Sequence, residues 1–170
     1  VIAYGEQANL YAELGMYDRA LQLNTKAQHY SLLKDSFGLG DLYRYRAAIF
    51  GQTGIKDSIF YYLNQAEKIS ALQGSFKGVF VNKVTTVEAY LDYTDSVQKA
   101  LTLALSICPD SSRMPQWAKY ELELHLGRAL LQTGKATQGI PLIEKAAQGF
   151  ISMDMRSGKQ KANNILMDYY

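Results

Sequence analysis

The sequence predicts an all-α fold in which antiparallel helix pairs repeat along the chain as a solenoid. The first observation is a fixed period, since one small residue recurs at steps of 39, 38 and 42 positions, as Ala27, Ala66, Ala104 and Ala146. The second is a glycine in the same register, as Gly15, Gly54 and Gly134. Only 3 of the 170 residues are proline, which favours helices. A period of this length is typical of helical repeat arrays.

The first unit, about residues 1–38, shows the pair of helices most plainly. From Ile2 to about Leu14, apolar and small residues recur at three- and four-residue steps, which predicts a helix. Gly15 is expected to end this helix, because glycine adopts the left-handed conformation without a steric penalty. Asp18 is expected to open the partner helix, where a carboxylate accepts free amide hydrogens and meets the positive end of the helix dipole.

The second and third units, about residues 39–76 and 77–115, repeat this outline. Gly54 and Asp57 mark the turn and the second helix of the second unit. In the third unit Asp92 stands where glycine is expected, and aspartate tolerates the left-handed conformation better than most residues. Asp95 is then expected to open the second helix of that unit.

The fourth unit, about residues 116–157, is followed by a partial fifth, residues 158–170. Gly134 is predicted to form the turn of the fourth unit, and Pro141 to lie near the first turn of its second helix, where a missing N–H costs least. Lys159–Tyr170 is predicted to be the first helix of the fifth unit. Between units, the dipeptides Ser36-Phe37 and Ser75-Phe76 lie 39 positions apart and indicate equivalent junctions.

Composition excludes several classes of function. The 18 Lys+Arg residues nearly balance 16 Asp+Glu residues, giving a net charge of +2, so nucleic-acid binding by this segment is not expected. No run of about 18 apolar residues is present, so membrane insertion is not expected either. A single cysteine, Cys108, excludes an internal disulfide and a multi-thiolate metal site. No cofactor and no metal are predicted.

The ends of the chain predict a piece of a longer protein. The sequence starts at Val1 without methionine and stops at Tyr170 inside a helix-like run. Targeting signals are therefore not informative, and the compartment stays open between cytoplasm and periplasm.

Small and aromatic residues recur at matching places in the repeat: Ala8, Tyr11, Gly15, Tyr17, Ala20 and Ala27, with their counterparts in later units, such as Ala47, Phe50, Gly54 and Ala66. In these residues the repeat resembles the tetratricopeptide family. The period exceeds the usual 34 residues, and such longer repeats resemble those of bacterial signalling regulators. The resemblance implies a right-handed solenoid, four units plus the first helix of a fifth, forming a single array over residues 1–170.

The resemblance also implies a binding surface, because in this family the first helix of each unit lines the concave face. The polar residues that this register places there are Asn9, Glu13, Arg44, Gln52, Asn82, Lys83, Tyr90, Arg128 and Gln132. His125, Lys161 and Asn164 extend the set along the same register. The expected function is a non-enzymatic scaffold with a mixed, slightly cationic trough that binds a peptide or a protein.

Alternatives remain open at this point. The polar residues could simply form a solvated helix face. The two histidines, His29 and His125, lie in distant units, and no catalytic arrangement of nucleophile, acid and base follows from their spacing. The array could instead be the sensory or dimerising region of a bacterial transcription regulator or histidine kinase, which would allow a homodimer. An accessory protein for carbohydrate or peptide processing is a third possibility, without positive support in the sequence.

Overall fold

The computed structural model describes residues 2–33 and 38–170, and in that part of the chain every regular element is a helix. Nine α-helices follow one another as α1 (Ile2–Glu13), α2 (Tyr17–Leu33), α3 (Leu39–Thr53), α4 (Lys56–Leu72), α5 (Phe76–Tyr93), α6 (Val97–Ile107), α7 (Gln116–Gln132), α8 (Ala136–Ser152) and α9 (Arg156–Tyr169). A 3-10 helix, Cys108–Arg113, follows α6. The all-α fold class is therefore confirmed. The Ser36-Phe37 junction lies outside the described residues.

The turns between paired helices follow the predicted chemistry in three units. Gly15, Gly54 and Gly134 have φ angles of 75°, 75° and 78°, the left-handed conformation that glycine adopts most readily. Asp18 and Asp57 lie in the first turns of α2 and α4, as predicted.

The third unit differs from the prediction. Asp92 is not a turn residue, because α5 continues through Tyr93 and the turn is formed by the next three residues. Asp95 lies in that turn, and α6 begins only at Val97 after the N-cap Ser96. The longer helix leaves Asp92 on a helical face, where its carboxylate contacts another helix.

Two further expectations in the fourth and fifth units need correction. Pro141 lies inside α8, at its sixth residue rather than in its first turn. It is solvent-exposed, so the carbonyl left without an amide partner can be solvated. The helix predicted over Lys159–Tyr170 begins earlier, since α9 starts at Arg156. The turn before it contains Asp154, a residue other than glycine in the left-handed conformation, with a φ of 52°.

The chain divides into two compact units, Val1–Thr85 and Thr86–Tyr170, and α5 contributes residues to both. From here on, the first unit and the second unit are these two compact units and not the repeats of the sequence. In the first unit consecutive helices pack against each other, and α1 also contacts α3. The recurring alanines lie at these contacts: Ala8, Ala20, Ala27 and Ala66 are fully buried. One buried polar side chain also joins two of these helices: Asn24 Nδ2 of α2 donates to the carbonyl of Leu42 in α3 at 2.9 Å.

Tyrosines pack in the first unit as half-buried rings. Tyr62 of α4 stacks on Phe50 at 5.4 Å and on Tyr43 at 6.0 Å between ring centroids, and both partners belong to α3. The Arg46 guanidinium lies 5.1 Å from the centroid of the Tyr62 ring. Stacked rings of this kind bury apolar area while their hydroxyl groups stay near water.

In the second unit α6, α7, α8 and α9 pack in sequence, and α7 also contacts α9. The core is formed by Leu124, Ile143, Ala146, Phe150 and Ala162, all completely buried. Two glycines bring α7 and α8 close together: a Cβ built on Gly139 would lie 2.6 Å from the carbonyl oxygen of Gly127. Among the described helices, none is both long and apolar enough to cross a lipid bilayer.

Candidate functional site

The second unit contains a group of charged side chains that three helices bring together. Its members, referred to below as the charged cluster, are Glu88 and Asp92 of α5, Glu121, His125 and Arg128 of α7, and Lys161 of α9. The spacing explains their common face. Residues four apart on a helix are neighbours, and this relation holds for Glu88 with Asp92 and for Glu121 with His125.

Glu88 lies at the centre of the charged cluster and contacts two helices. Its Oε1 accepts a hydrogen bond from Lys161 Nζ at 2.6 Å, and its Oε2 lies 3.9 Å from His125 Nε2. Burial by itself would raise the pKa of Glu88, but Coulomb interactions with His125, Lys161 and Arg128, together with the hydrogen bond from Lys161, outweigh burial and lower the pKa below the usual 4.5. Glu88 therefore carries a negative charge at neutral pH.

Lys161 is the complement of Glu88. Burial acts to lower the pKa of Lys161, but the Coulomb attraction and hydrogen bond from Glu88, with contributions from Glu121 and Asp92, raise it above the usual 10.5. The ammonium group is thus fixed as a cation, and its side chain is 48% exposed.

His125 is the buried member of the charged cluster, with 2% of its surface exposed. Its Nε2 lies 3.6 Å from Glu121 Oε2 and 3.9 Å from Glu88 Oε2, so the imidazole faces two carboxylates. Among the described residues its Nδ1 has no hydrogen-bond partner. The ring therefore fills the space between α5 and α7 and is not presented to solvent as a catalytic base would be.

Arg128 closes the other end of the charged cluster. Its guanidinium donates to Asp92 Oδ1 and, through Nη2, to the carbonyl of Leu91 at 3.4 Å. The neighbouring Tyr93 is affected by the same acidic groups: burial first, then Asp92 and Glu88, raise the pKa of its hydroxyl group. Arg128 is thus held by α5 and has little capacity left for an anionic ligand.

A pocket of about 330 Å³ adjoins this end of the charged cluster, between α7 and α9. We call it the α7–α9 pocket; it is lined by Arg128, Leu131, Gln132, Ile165, Asp168 and Tyr169. Leu131 and Ile165 also pack against the core, so the floor of the pocket is apolar and fixed. A larger pocket, about 520 Å³, lies between the end of α8 and the opposite face of α9, and Asn164 lines it.

The structure brings some of the sequence-predicted residues together and separates others. In the second unit Arg128, His125 and Lys161 join the charged cluster, and Gln132 lines the α7–α9 pocket. Tyr90 faces α6 instead, with Lys99 Nζ at 5.9 Å from its ring centroid.

In the first unit the predicted residues do not come together at one site. Asn9 Nδ2 donates to Glu13 Oε1 at 3.0 Å within α1, and Arg44 pairs with Asp41 at 2.8 Å within α3. Gln52 is exposed. Lys83 Nζ lies 3.9 Å from Glu67 Oε1.

Asn82 occupies a different environment from the other predicted residues. It is only 1% exposed, and its Nδ2 donates to the hydroxyl of Ser70 at 3.0 Å, which joins α5 to α4. A side chain this buried offers a ligand almost no surface, so its amide stabilises the helix contact.

Sequence reasoning missed the acidic residues of this surface: Glu88, Asp92, Glu121 and Asp168. The signal was present as carboxylates four positions apart on α5 and seven residues ahead of Arg128 on α7. Placing Asp92 in a turn hides this pattern. Around the charged cluster and the α7–α9 pocket, these four carboxylates outnumber the two permanent cations, Arg128 and Lys161, whereas the sequence predicted a slightly cationic trough.

Metal chemistry receives no support from this geometry. In the described ranges, 2–33 and 38–170, no three His, Cys, Asp or Glu side chains are arranged to hold a metal ion. Burial and the nearby Glu123 raise the pKa of Cys108, which keeps this thiol protonated and poorly nucleophilic.

Comparison with known proteins gives no assignment: no family model, curated protein or solved structure matches this chain.

Proposed function

We propose that this chain is a non-enzymatic module that binds a peptide or a protein along the first helices of a tetratricopeptide-like, right-handed solenoid. The observation that carries the proposal is the charged cluster, in which side chains of three successive first helices, α5, α7 and α9, meet on one surface. In the first unit α1 likewise contacts α3. First helices that lie side by side are what such an array requires.

The pairing of charges favours binding over catalysis. A catalytic acid, base or nucleophile must reach a substrate, whereas Glu88, Asp92, Arg128 and Lys161 are held by one another and His125 is buried. Such a network keeps the geometry of the surface fixed. A fixed surface with an adjoining pocket is suited to a ligand that supplies its own side chains, such as a peptide.

Selection of peptides tests the proposal. A random peptide library would be displayed and panned against the 170-residue protein, and the binding of selected peptides measured by fluorescence anisotropy. The variant Gln132→Trp places a bulky ring at the exposed wall of the α7–α9 pocket and is expected to weaken binding by about tenfold or more.

The matched control is Gln148→Trp, the same change at an exposed position of α8. It should leave both folding and binding unchanged. Selection of no peptide above background would contradict the proposal. Equal binding by wild type and Gln132→Trp would show that the peptides bind away from the α7–α9 pocket and would overturn this placement of the site.

A further inference from the structure

We infer that the α7–α9 pocket binds a cationic side chain, a lysine or an arginine, of the bound peptide. The inference rests on the proposed function and specifies the chemistry of its ligand. It starts from the lining of the pocket, which combines an apolar floor, Leu131 and Ile165, with a single carboxylate, Asp168, and the ring of Tyr169.

Asp168 is the group that selects a cation. It is exposed, and in the part of the chain that the structure describes it has neither a hydrogen-bond nor an ion-pair partner. An apolar or acidic ligand that covered this carboxylate would remove its water and give nothing in return, which is costly. A cation restores the lost interaction.

The other charged group of the pocket does not oppose this choice. Arg128 forms an ion pair with Asp92 and donates to the carbonyl of Leu91, so the pocket does not present an unpaired positive charge. The charge balance of the wider surface agrees, because the four carboxylates exceed the two permanent cations, Arg128 and Lys161. The field at the pocket is therefore negative and complementary to an ammonium or guanidinium group.

The apolar floor favours a cationic side chain with a long hydrocarbon part. Lysine and arginine bury their methylene chains along apolar surface while the charged group stays near water, and Leu131 and Ile165 provide such a surface. The face of the Tyr169 ring can add a cation–π contact. A volume of about 330 Å³ lies at the lower end of ligand pockets, which suits one side chain better than a peptide segment.

Minimal probes test the pocket directly. The probes are N-acetyl-lysine methylamide, N-acetyl-arginine methylamide and N-acetyl-norleucine methylamide, the last having the lysine stem without its ammonium group. Titration of each into ¹⁵N-labelled protein would be followed by NMR. The two cationic probes should shift the backbone amides of Leu131, Gln132 and Asp168, with weaker binding in high salt, and norleucine should shift them much less.

Two matched variants isolate the carboxylate. Asp168→Asn should weaken the cationic probes about two- to fivefold and leave the norleucine probe unchanged, as expected for one exposed ion pair. Asp57→Asn makes the same change at an exposed position of α4 and should have no effect. Equal binding of norleucine and lysine, or no response to Asp168→Asn, would overturn the inference.

The peptide selection separates this inference from the proposed function. Selected peptides that lack lysine and arginine, and that bind Asp168→Asn as tightly as wild type, would overturn the inference and leave the proposed function standing. If no peptide is selected, the proposed function fails, while the amino-acid probes still decide whether the pocket prefers a cation. Enrichment of one basic position that is lost in Asp168→Asn would support both.

Discussion

Gly127 and Gly139 allow α7 and α8 of the second unit to pack closely because they carry no side chain. A Cβ on Gly139 would meet the carbonyl oxygen of Gly127 at 2.6 Å and the backbone nitrogen of Leu131 at 3.1 Å. Both obstacles are main-chain atoms, so they cannot swing away as a flexible side chain could. A larger residue must therefore push α7 and α8 apart.

The variant Gly139→Ala should accordingly destabilise the fold by about 1–3 kcal/mol, as other overpacked cores are destabilised. Urea unfolding followed by circular dichroism measures the change. Gln138→Ala, at the exposed neighbouring position, is the control and should stay within about 0.5 kcal/mol of wild type. An unchanged midpoint for Gly139→Ala would mean that the two helices are farther apart than described.

Glu88 makes the stability of the second unit depend on pH. Its pKa is lower in the folded protein than the usual 4.5, so the folded state binds this proton less readily than the unfolded state does. The resulting stabilisation is fully present above the usual value and is lost as the pH falls through the lowered value.

Glu88→Gln should therefore be less stable than wild type at pH 7, by about 1 kcal/mol, with the difference shrinking from about pH 5 downward. Urea midpoints at a series of pH values measure this. Glu144→Gln, at an exposed position of α8, is the matched control. A difference between Glu88→Gln and wild type that stayed constant down to pH 3 would show that the ionised carboxylate is not what stabilises this site.

At the scale of helices, the ion pair of Glu88 with Lys161 joins α5 to α9 through two residues that are 73 positions apart in the sequence. A double-mutant cycle with Glu88→Gln and Lys161→Met isolates the coupling of the two side chains. We expect a coupling of about 0.5–1 kcal/mol in low salt, reduced in 1 M salt because both groups are partly exposed. A coupling of zero in low salt would mean that the pair does not hold the helices together.

The contacts and turns of the helices are also the features that the sequence predicted best. Ala27, Ala66 and Ala104 are fully buried, as their period predicted, because close helix packing leaves room only for small residues. The turn glycines were equally predictable from the sequence, because their backbone conformation is a local property. The end of α5 was not, because an aspartate can occupy either a turn or a helix, and the choice depends on Arg128, which is 36 positions away.

For the whole molecule, the notable feature is that α5 contributes residues to both compact units, because the boundary along the sequence falls between Thr85 and Thr86. Proline at position 85 would remove a backbone hydrogen bond and clash with the carbonyl of Val81, at a cost of about 3 kcal/mol. We expect Thr85→Pro to turn one urea transition into two, whereas Thr85→Ala should keep a single transition. One sharp transition for the proline variant would show that the units unfold together without a continuous α5.

The candidate site was only partly predictable because it depends on the contacts of several helices. The register placed Arg128 and Gln132 on a first helix, and both contribute to the α7–α9 pocket. It could not reveal that Asn82 is buried against Ser70, since exposure depends on how far the neighbouring helix covers it. Nor could it reveal the acidic balance, which arises from carboxylates on α5, α7 and α9.

The described glycines differ in what excludes a side chain: the handedness of the backbone at the turns, and neighbouring atoms within the helices. Gly15, Gly54, Gly74 and Gly134 have positive φ angles and open space around the position of a Cβ, so only the handedness of the backbone demands glycine there. A D-amino acid prefers that backbone conformation. In a chemically synthesised chain, D-alanine would be accommodated at each of these turns and would stiffen the unfolded chain. At Gly139, inside α8, the surrounding atoms exclude an L side chain, and D-alanine would not help because a D residue disfavours the right-handed helix.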